Sequence, residues 1–132
     1  MLKEIYDQPD IAKYWLEKYL IKDLKTDQLQ INYSFDTDFL NSIERIDIVA
    51  CGTSKHSAMV GKFLLEQFSG IPTNVFFASE FRYSPPPLLP NTLTIGVTQS
   101  GETADTIAAI SMEIKRRSSI EDNHCLLYTS PS

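Results

Sequence analysis

Thr98-Gln99-Ser100-Gly101-Glu102-Thr103 gathers hydroxyls, an amide and a glycine into one short run. Leu93-Thr94-Ile95-Gly96-Val97 before it is β-rich and apolar enough for a buried strand. After it, Ala104, Ile107, Ala108, Ser111 and Ile114 recur at the helical period. A strand-to-helix turn of this composition presents unpaired backbone N–H groups and hydroxyls at a helix N-terminus, which holds an anion without a basic side chain. Cys51-Gly52-Thr53-Ser54 repeats the arrangement, after Ile46-Asp47-Ile48-Val49-Ala50 and before a second amphipathic helix. Gly52 permits close backbone approach, and Thr53 or Ser54 can cap the helix or face a ligand. In the later turn Ser100 and Thr103 flank Gly101, and Gln99 adds an amide with donors and an acceptor. A single Ser or Thr at such a place is most simply an N-cap. Two turns of the same chemistry at one sheet edge point to a phosphorylated ligand.

Neighbouring groups fit plainer roles. Glu102 has the chemistry of a general base, but a first-turn carboxylate more often complements the helix macrodipole. His56 sits in the first turn of the helix after Cys51-Gly52-Thr53-Ser54, where a surface or packing role is expected. Cys51 reads as a small strand-end residue beside the ligand rather than a nucleophile. Arg82, close to Glu80 in sequence, reads as a local ion pair or an interface group. The sequence G-x-x-x-x-G-K-[ST] does not occur, and no G-x-G-x-x-G follows the first strand, which argues against nucleotide-triphosphate and dinucleotide binding.

The elements that must position these turns form a short alternation. Residues 1–9 have little apolar periodicity and read as a linker, with Pro9 suited to a loop or a first helical turn. Ile11, Tyr14, Trp15, Tyr19 and Leu20 predict a helix from Asp10 to about Ile21. Residues 22–42 are mixed and polar, with a short helix near Phe39-Leu40. A strand at 46–50 then leads to a helix at 54–69, on which Val60, Phe63, Leu64 and Phe68 share one face. Gly70 and Pro72 stop that helix. A strand at 73–78 follows, then a short helical turn through Tyr83 with Ser79 as N-cap, a proline-rich loop, a strand at 92–98 and a helix at 103–116. This order predicts an α/β fold, a doubly wound parallel sheet of about three core strands with right-handed crossovers. Residues 118–132 stay unassigned. Cys125-Leu126-Leu127-Tyr128 makes at most a short strand, and Cys125 to Ser132 is similar to translated sequencing adapter, the alternative being a displaced edge segment. Unpaired apolar edges on so small a sheet predict low stability or self-association.

Size and charge bound the partners. The chain has 132 residues, a net charge of −5 and 42% hydrophobic residues, as expected of an ordinary globular domain or part of one. An acidic chain is a poor match for nucleic acid, and no apolar run approaches a membrane span, so neither is expected as a partner. The one basic cluster, Lys115-Arg116-Arg117, reads as a solvated complement to a helix C-terminus. Cys51 and Cys125 match no metal or redox spacing, which points to a reducing, cytoplasmic setting.

Taken together, Ala50-Cys51-Gly52-Thr53-Ser54, Gly70-Ile71-Pro72, Ala78-Ser79-Glu80-Phe81-Arg82-Tyr83 and Gln99-Ser100-Gly101-Glu102-Thr103-Ala104-Asp105-Thr106 resemble the glucosamine-6-phosphate synthase family. Its members are also called glutamine–fructose-6-phosphate aminotransferases (isomerizing). The likeness is to the first of the family's two sugar isomerase (SIS) domains and covers about residues 1–117. Lys3 to Pro9 is similar to the segment joining the glutaminase and isomerase halves, with Asp7 where Glu is more usual. The resemblance implies a flavodoxin-like three-layer fold. It assigns residues 1–9 to the interdomain linker, 10–42 to an N-terminal helical segment, 43–117 to a partial SIS domain and 118–132 to the unassigned tail.

The resemblance also implies function. The family converts fructose 6-phosphate and glutamine to glucosamine 6-phosphate, opening hexosamine synthesis, as a homo-oligomer with no metal or organic cofactor. Gln99, Ser100 and Thr103 would bind the sugar phosphate, with Thr98 at a position commonly held by Ser. Cys51, Gly52, Thr53 and Ser54 would line the sugar. No residue of this chain is expected to be catalytic. The family's glutaminase nucleophile is an N-terminal Cys, whereas this chain begins Met1-Leu2, and the Schiff-base lysine, proton-shuttling glutamate and ring-opening histidine belong to later segments. The expectation is a fragment that holds a phosphate cradle without turnover. The competing reading is the sugar-phosphate-sensing SIS module of a transcription regulator. A stand-alone sugar-phosphate isomerase is a third, and it would need its own acid/base beyond residue 117.

Overall fold

In the computed structural model the described residues are 2–22, 25–31, 37–98, 104–119 and 125–129, in two compact units, Met1–Thr37 and Asp38–Ser132. The first unit is helix α1 (Leu2–Tyr19) followed by an antiparallel pair, β1 (Leu20–Lys22) and β2 (Leu29–Ile31). The helix begins at Leu2 rather than Asp10, so Lys3 to Pro9 is helical. Leu, Lys, Glu and Gln are good helix formers whatever their periodicity, and Pro9 forfeits one N–H while keeping a helical φ. No residue of α1 is buried. The Lys18 ammonium lies over the rings of Tyr14, Trp15 and Tyr19, and its hydrogen bond with Tyr19 raises its pKa above the ordinary lysine value. The polar stretch after residue 22 holds a hairpin, with Asp27 at φ 55° and its carboxylate 2.7 Å from Lys22.

The second unit begins at Asp38, one residue into α2 (Thr37–Ser42). Phe39 and Leu40 pack against the core beside Ile43, so this short helix belongs with the sheet, and the units divide after residue 37 rather than after 42. The chain continues through β3 (Arg45–Ala50), α3 (Ser54–Ser69), β4 (Thr73–Phe77), α4 (Ala78–Tyr83), β5 (Thr92–Thr98), α5 (Ala104–Ser118) and β6 (Cys125–Thr129). The four strands of this unit form one parallel sheet in the order β4-β3-β5-β6. The predicted doubly wound order is present. Residues 125–129 extend it by a fourth strand, Thr94 to Thr98 pairing in register with Cys125 to Thr129.

Alternation along β3 builds the two apolar layers. Ile46, Ile48 and Ala50 join Ala58 and Leu93 on one face, with Leu65 of α3 packed against them. Val49 joins Ala78 and Phe81 of α4 and Ala109 and Ile110 of α5 on the other. Asp47, buried within β3, accepts at Oδ1 from Arg45 Nε at 2.9 Å and from Asn74 Nδ2 on β4 at 3.2 Å, so its charge is paired inside the sheet. The strand starts are tied by loops: the Asn91 carbonyl, at φ 55°, accepts the N–H groups of Glu44 and Arg45, and the Pro72 carbonyl accepts that of Ile46.

Three local expectations change. On α3, Val60, Phe63, Leu64 and Phe68 are exposed, and the sheet-facing side is Ala58 and Leu65, where a small side chain lets the helix approach. On α5, the buried stripe is Thr106, Ala109, Ile110, Glu113 and Arg117 rather than Ile107 and Ile114. Ser79 lies inside α4, whose cap position is the extended Phe77. Gly70 does close α3, at φ 70° with its N–H on the Glu66 carbonyl at 3.0 Å.

Candidate functional site

The carboxyl ends of β3 and β5 lie side by side, with Ala50 in register with Val97. From there α3 covers one face of the sheet and α5 the other. In a doubly wound sheet this point of divergence is where ligands bind, because loops and helix N-termini frame a crevice above the strand ends. The structure brings the turn after β3 and the last residue of β5 to that point. Helix α3 starts there, at Ser54, and a helix N-terminus carries a partial positive charge.

Cys51 leaves β3 half-buried, packed against the Val49, Ala78, Phe81, Ala109 and Ile110 cluster; it is a free thiol. Gly52 takes φ +54°, and a Cβ built there meets nothing within 4 Å, so backbone conformation rather than crowding selects glycine. Thr53 sits at the cap position of α3 with φ −67° and ψ −24°, but its side chain makes no capping hydrogen bond. The residue is exposed. The Gly52 and Thr53 carbonyls accept the N–H groups of Lys55 (3.2 Å) and His56 (3.1 Å), which closes the first turn. Ser54 is the half-buried first residue of α3. Thr98 ends β5 with 1% exposure, its neighbour across the sheet being Thr129. Gln99, Ser100 and Thr103, with Glu102, lie outside the described residues.

One residue at this edge escapes the motif reading. The Lys55 ammonium stands 3.2 Å from the centroid of the Phe77 ring, linking the first turn of α3 to the end of β4. A cation in the first turn of a helix opposes the dipole, and that is the sequence signal that it has a partner. His56 is exposed, in keeping with a surface role. Arg82 pairs with Asp105 of α5 at 3.9 Å rather than with Glu80. The basic cluster at the end of α5 is also not uniformly solvated. Arg117 is buried against Glu113, and Arg116 bridges Glu113 and the Pro86 carbonyl, because the terminal turn packs on the proline loop and β5.

Among the described residues no helix is long and apolar enough to cross a membrane, and no three His, Cys, Asp or Glu side chains gather as a metal site.

A SIS domain model matches residues 39–120. The glutamine–fructose-6-phosphate aminotransferase [isomerizing] of Thermosynechococcus vestitus is 56% identical over 125 residues, 92% of this chain and 20% of that protein. Its counterpart in Synechocystis sp. is 50% identical over 128 residues, 94% of this chain and 20% of that protein. The C-terminal domain of glucosamine-fructose-6-phosphate aminotransferase from Francisella tularensis superposes with a TM-score of 0.73 at 30% identity, covering 98% of this chain and 34% of that one. The chain thus spans about a fifth of the length of the curated relatives it matches. The doubly wound sheet and the extent of the match, most of the second unit, make this chain a member of the SIS domain family.

Proposed function

We propose that this chain is the sugar-phosphate-binding part of the isomerase half of a glutamine–fructose-6-phosphate aminotransferase, which makes glucosamine 6-phosphate from fructose 6-phosphate and glutamine. The observation that carries the reading is the meeting of the Cys51-to-Ser54 turn with the end of β5 at the point where α3 and α5 diverge. The 56% identity to an enzyme of that name supports it.

In this reading Thr98, Gln99, Ser100 and Thr103 hold the phosphate, and Cys51, Gly52, Thr53 and Ser54 line the sugar. A phosphate monoester carries about −1.5 to −2 charges at neutral pH, and two helix N-termini with several hydroxyls stabilise it without a dedicated cation. The uncapped Thr53 hydroxyl is available for a sugar hydroxyl. The Thr98 side chain keeps the hydroxyl of the more usual Ser and adds a methyl that the buried strand end accommodates. Helix α1 and the β1–β2 pair act as the join to a preceding domain, and the chain from α2 to residue 117 as the SIS core of the isomerase half. The longer enzyme is a cytoplasmic homo-oligomer. Chemistry on the bound sugar is done elsewhere in that enzyme, so the 132-residue chain binds without turnover.

Calorimetry and thermal unfolding with glucosamine 6-phosphate, glucosamine and inorganic phosphate test this. The expected result is saturable binding and a raised Tm with the phosphorylated sugar and none with glucosamine. Equal response to both sugars, or to neither, would remove the reading. Turnover of fructose 6-phosphate by the chain would remove its non-catalytic part.

A further inference from the structure

Two sequence features that the sugar-phosphate reading leaves unused meet in space. Arg82 and Tyr83 close α4, and Lys115 and Arg116 lie in the last turn of α5. Between them runs an open trough of about 640 Å³ lined by Arg82, Tyr83, Ser111, Met112, Lys115 and Arg116. Ser111 and Lys115 lie one turn apart on the side of α5 away from the buried stripe of Thr106, Ala109, Ile110, Glu113 and Arg117, and Met112 beside them packs against the core at Ala109 and Ile110. None of the proposed sugar-phosphate residues lines it.

The lining carries three cations in a chain whose net charge is −5. Arg116 is set in place, Nη1 donating to Glu113 Oε2 and Nη2 to the Pro86 carbonyl, each at 2.9 Å, so little rotamer freedom remains to be lost on binding. Arg82 pairs with Asp105 at 3.9 Å and lies over the Tyr83 ring at 5.4 Å; the two ion-pair side chains are 44% and 54% exposed, a pair weak enough to yield to a better carboxylate. Met112 supplies an adaptable apolar floor, and the Tyr83 ring stands 80% exposed at its side.

The shape selects among anions. A small ligand is normally enclosed over most of its surface, whereas a trough open along one side leaves such a ligand half solvated. An extended polypeptide suits a cavity open to solvent, because it can lay one or two side chains into it while the rest of the chain runs over the surface. Ala108 to Lys115 advances about 10 Å along the helix axis, the length of roughly three extended residues. We propose that this trough is a docking site for an acidic peptide segment. Two or more of its carboxylates engage Arg82, Lys115 and Arg116, and one apolar or aromatic side chain rests against Met112 and Tyr83.

Fluorescence anisotropy on the full chain tests this with a labelled peptide of roughly ten residues, Asp and Glu around one central Phe. Binding is expected to saturate and to weaken several-fold as salt is raised, since the contacts are exposed charges. Arg82→Glu and Lys115→Glu are each expected to weaken it by about tenfold or more with an unchanged Tm, and replacing the peptide Phe by Ser to weaken it several-fold. Absence of binding at about 1 mM peptide would overturn the proposal, as would an affinity untouched by the two reversals. Displacement by inorganic phosphate, with no loss on replacing Phe, would reduce the trough to a simple anion site and overturn it as well.

Discussion

Glu113 Oε1 accepts a hydrogen bond from Arg117 Nε at 3.0 Å, one turn further along α5, and both residues are 2% exposed. Glu113 Oε2 takes Arg116 Nη1, and Arg117 Nη2 reaches Thr94 Oγ1 on β5 at 3.5 Å, so one carboxylate anchors the end of the helix to the sheet. Removing it strands the buried Arg117 guanidinium and takes one of two partners from Arg116. Glu113→Gln is therefore expected to lose about 3–5 kcal/mol in denaturant unfolding, and the double change Glu113→Leu with Arg117→Leu to recover much of that. A loss below 1 kcal/mol in the single variant would show that water compensates the charge.

Gly52 tests backbone conformation separately from space. Its φ of +54° disfavours any side chain, yet nothing lies within 4 Å of a Cβ there. Gly52→Ala is expected to cost about 1–2 kcal/mol from backbone strain alone, with Gly52→Val worse. A methyl group above this turn also intrudes on the proposed sugar, so affinity for glucosamine 6-phosphate should fall by more than the change in stability accounts for. Parallel Tm and calorimetric titrations separate the two.

Thr53 offers the converse case, a hydroxyl at a cap position that caps nothing. Thr53→Ala should leave stability within about 0.5 kcal/mol of the parent while weakening glucosamine 6-phosphate by up to about tenfold. If urea unfolding instead shows the usual N-cap loss of about 1 kcal/mol, the hydroxyl serves the helix and not the ligand.

The outer side of α3 bears on self-association. Phe63 is 71% exposed and Phe68 79% exposed, beside Val60 and Leu64, which makes this helix apolar on both sides. Such a helix is stable in water only when something covers it. The double variant Phe63→Lys, Phe68→Lys is expected to sediment as a smaller species than the parent, with a Tm that no longer rises with protein concentration. Unchanged sedimentation would return the cause to the sheet edges.

The strands and the order of the second unit are legible in the sequence because continuous β-rich runs such as Ile46 to Ala50 and Leu93 to Val97 are bounded by glycine, proline and hydroxyl turns. Gly70 declares the end of α3 for the same reason. The helix faces are not legible. Apolar periodicity assumes that the apolar stripe is the buried one, and both α3 and α5 break that assumption. On α3 the sheet side is held by Ala58 and Leu65 while larger aromatics face out. On α5 the interior contains Glu113 and Arg117, which become compatible with burial only through their mutual pairing, and no propensity records a pair that has yet to form.

The candidate site divides along the same line. Cys51 to Ser54 and Thr98 are recognisable by residue type, and their convergence follows from parallel strands whose crossovers share one hand. That Thr53 is uncapped and that Lys55 rests on Phe77 depend on side-chain geometry absent from a linear motif. Residues 125–129 are a further case: only pairing against Thr94 to Thr98 reveals a strand in a stretch whose composition is equivocal.

The strand order carries a consequence for how the protein is made. β3 is the first strand of its sheet to leave the ribosome, yet it lies between β4 and β5, so every one of its ladder bonds waits for chain synthesised later. Two loop closures of unequal length must succeed before both of its edges are paired, and parallel ladders of this kind assemble slowly. Through that interval a strand carrying Ile46, Ile48, Val49 and Ala50 is open to other nascent chains. Growth temperature and the supply of chaperones will therefore govern the soluble yield of this chain as strongly as the strength of its finished core.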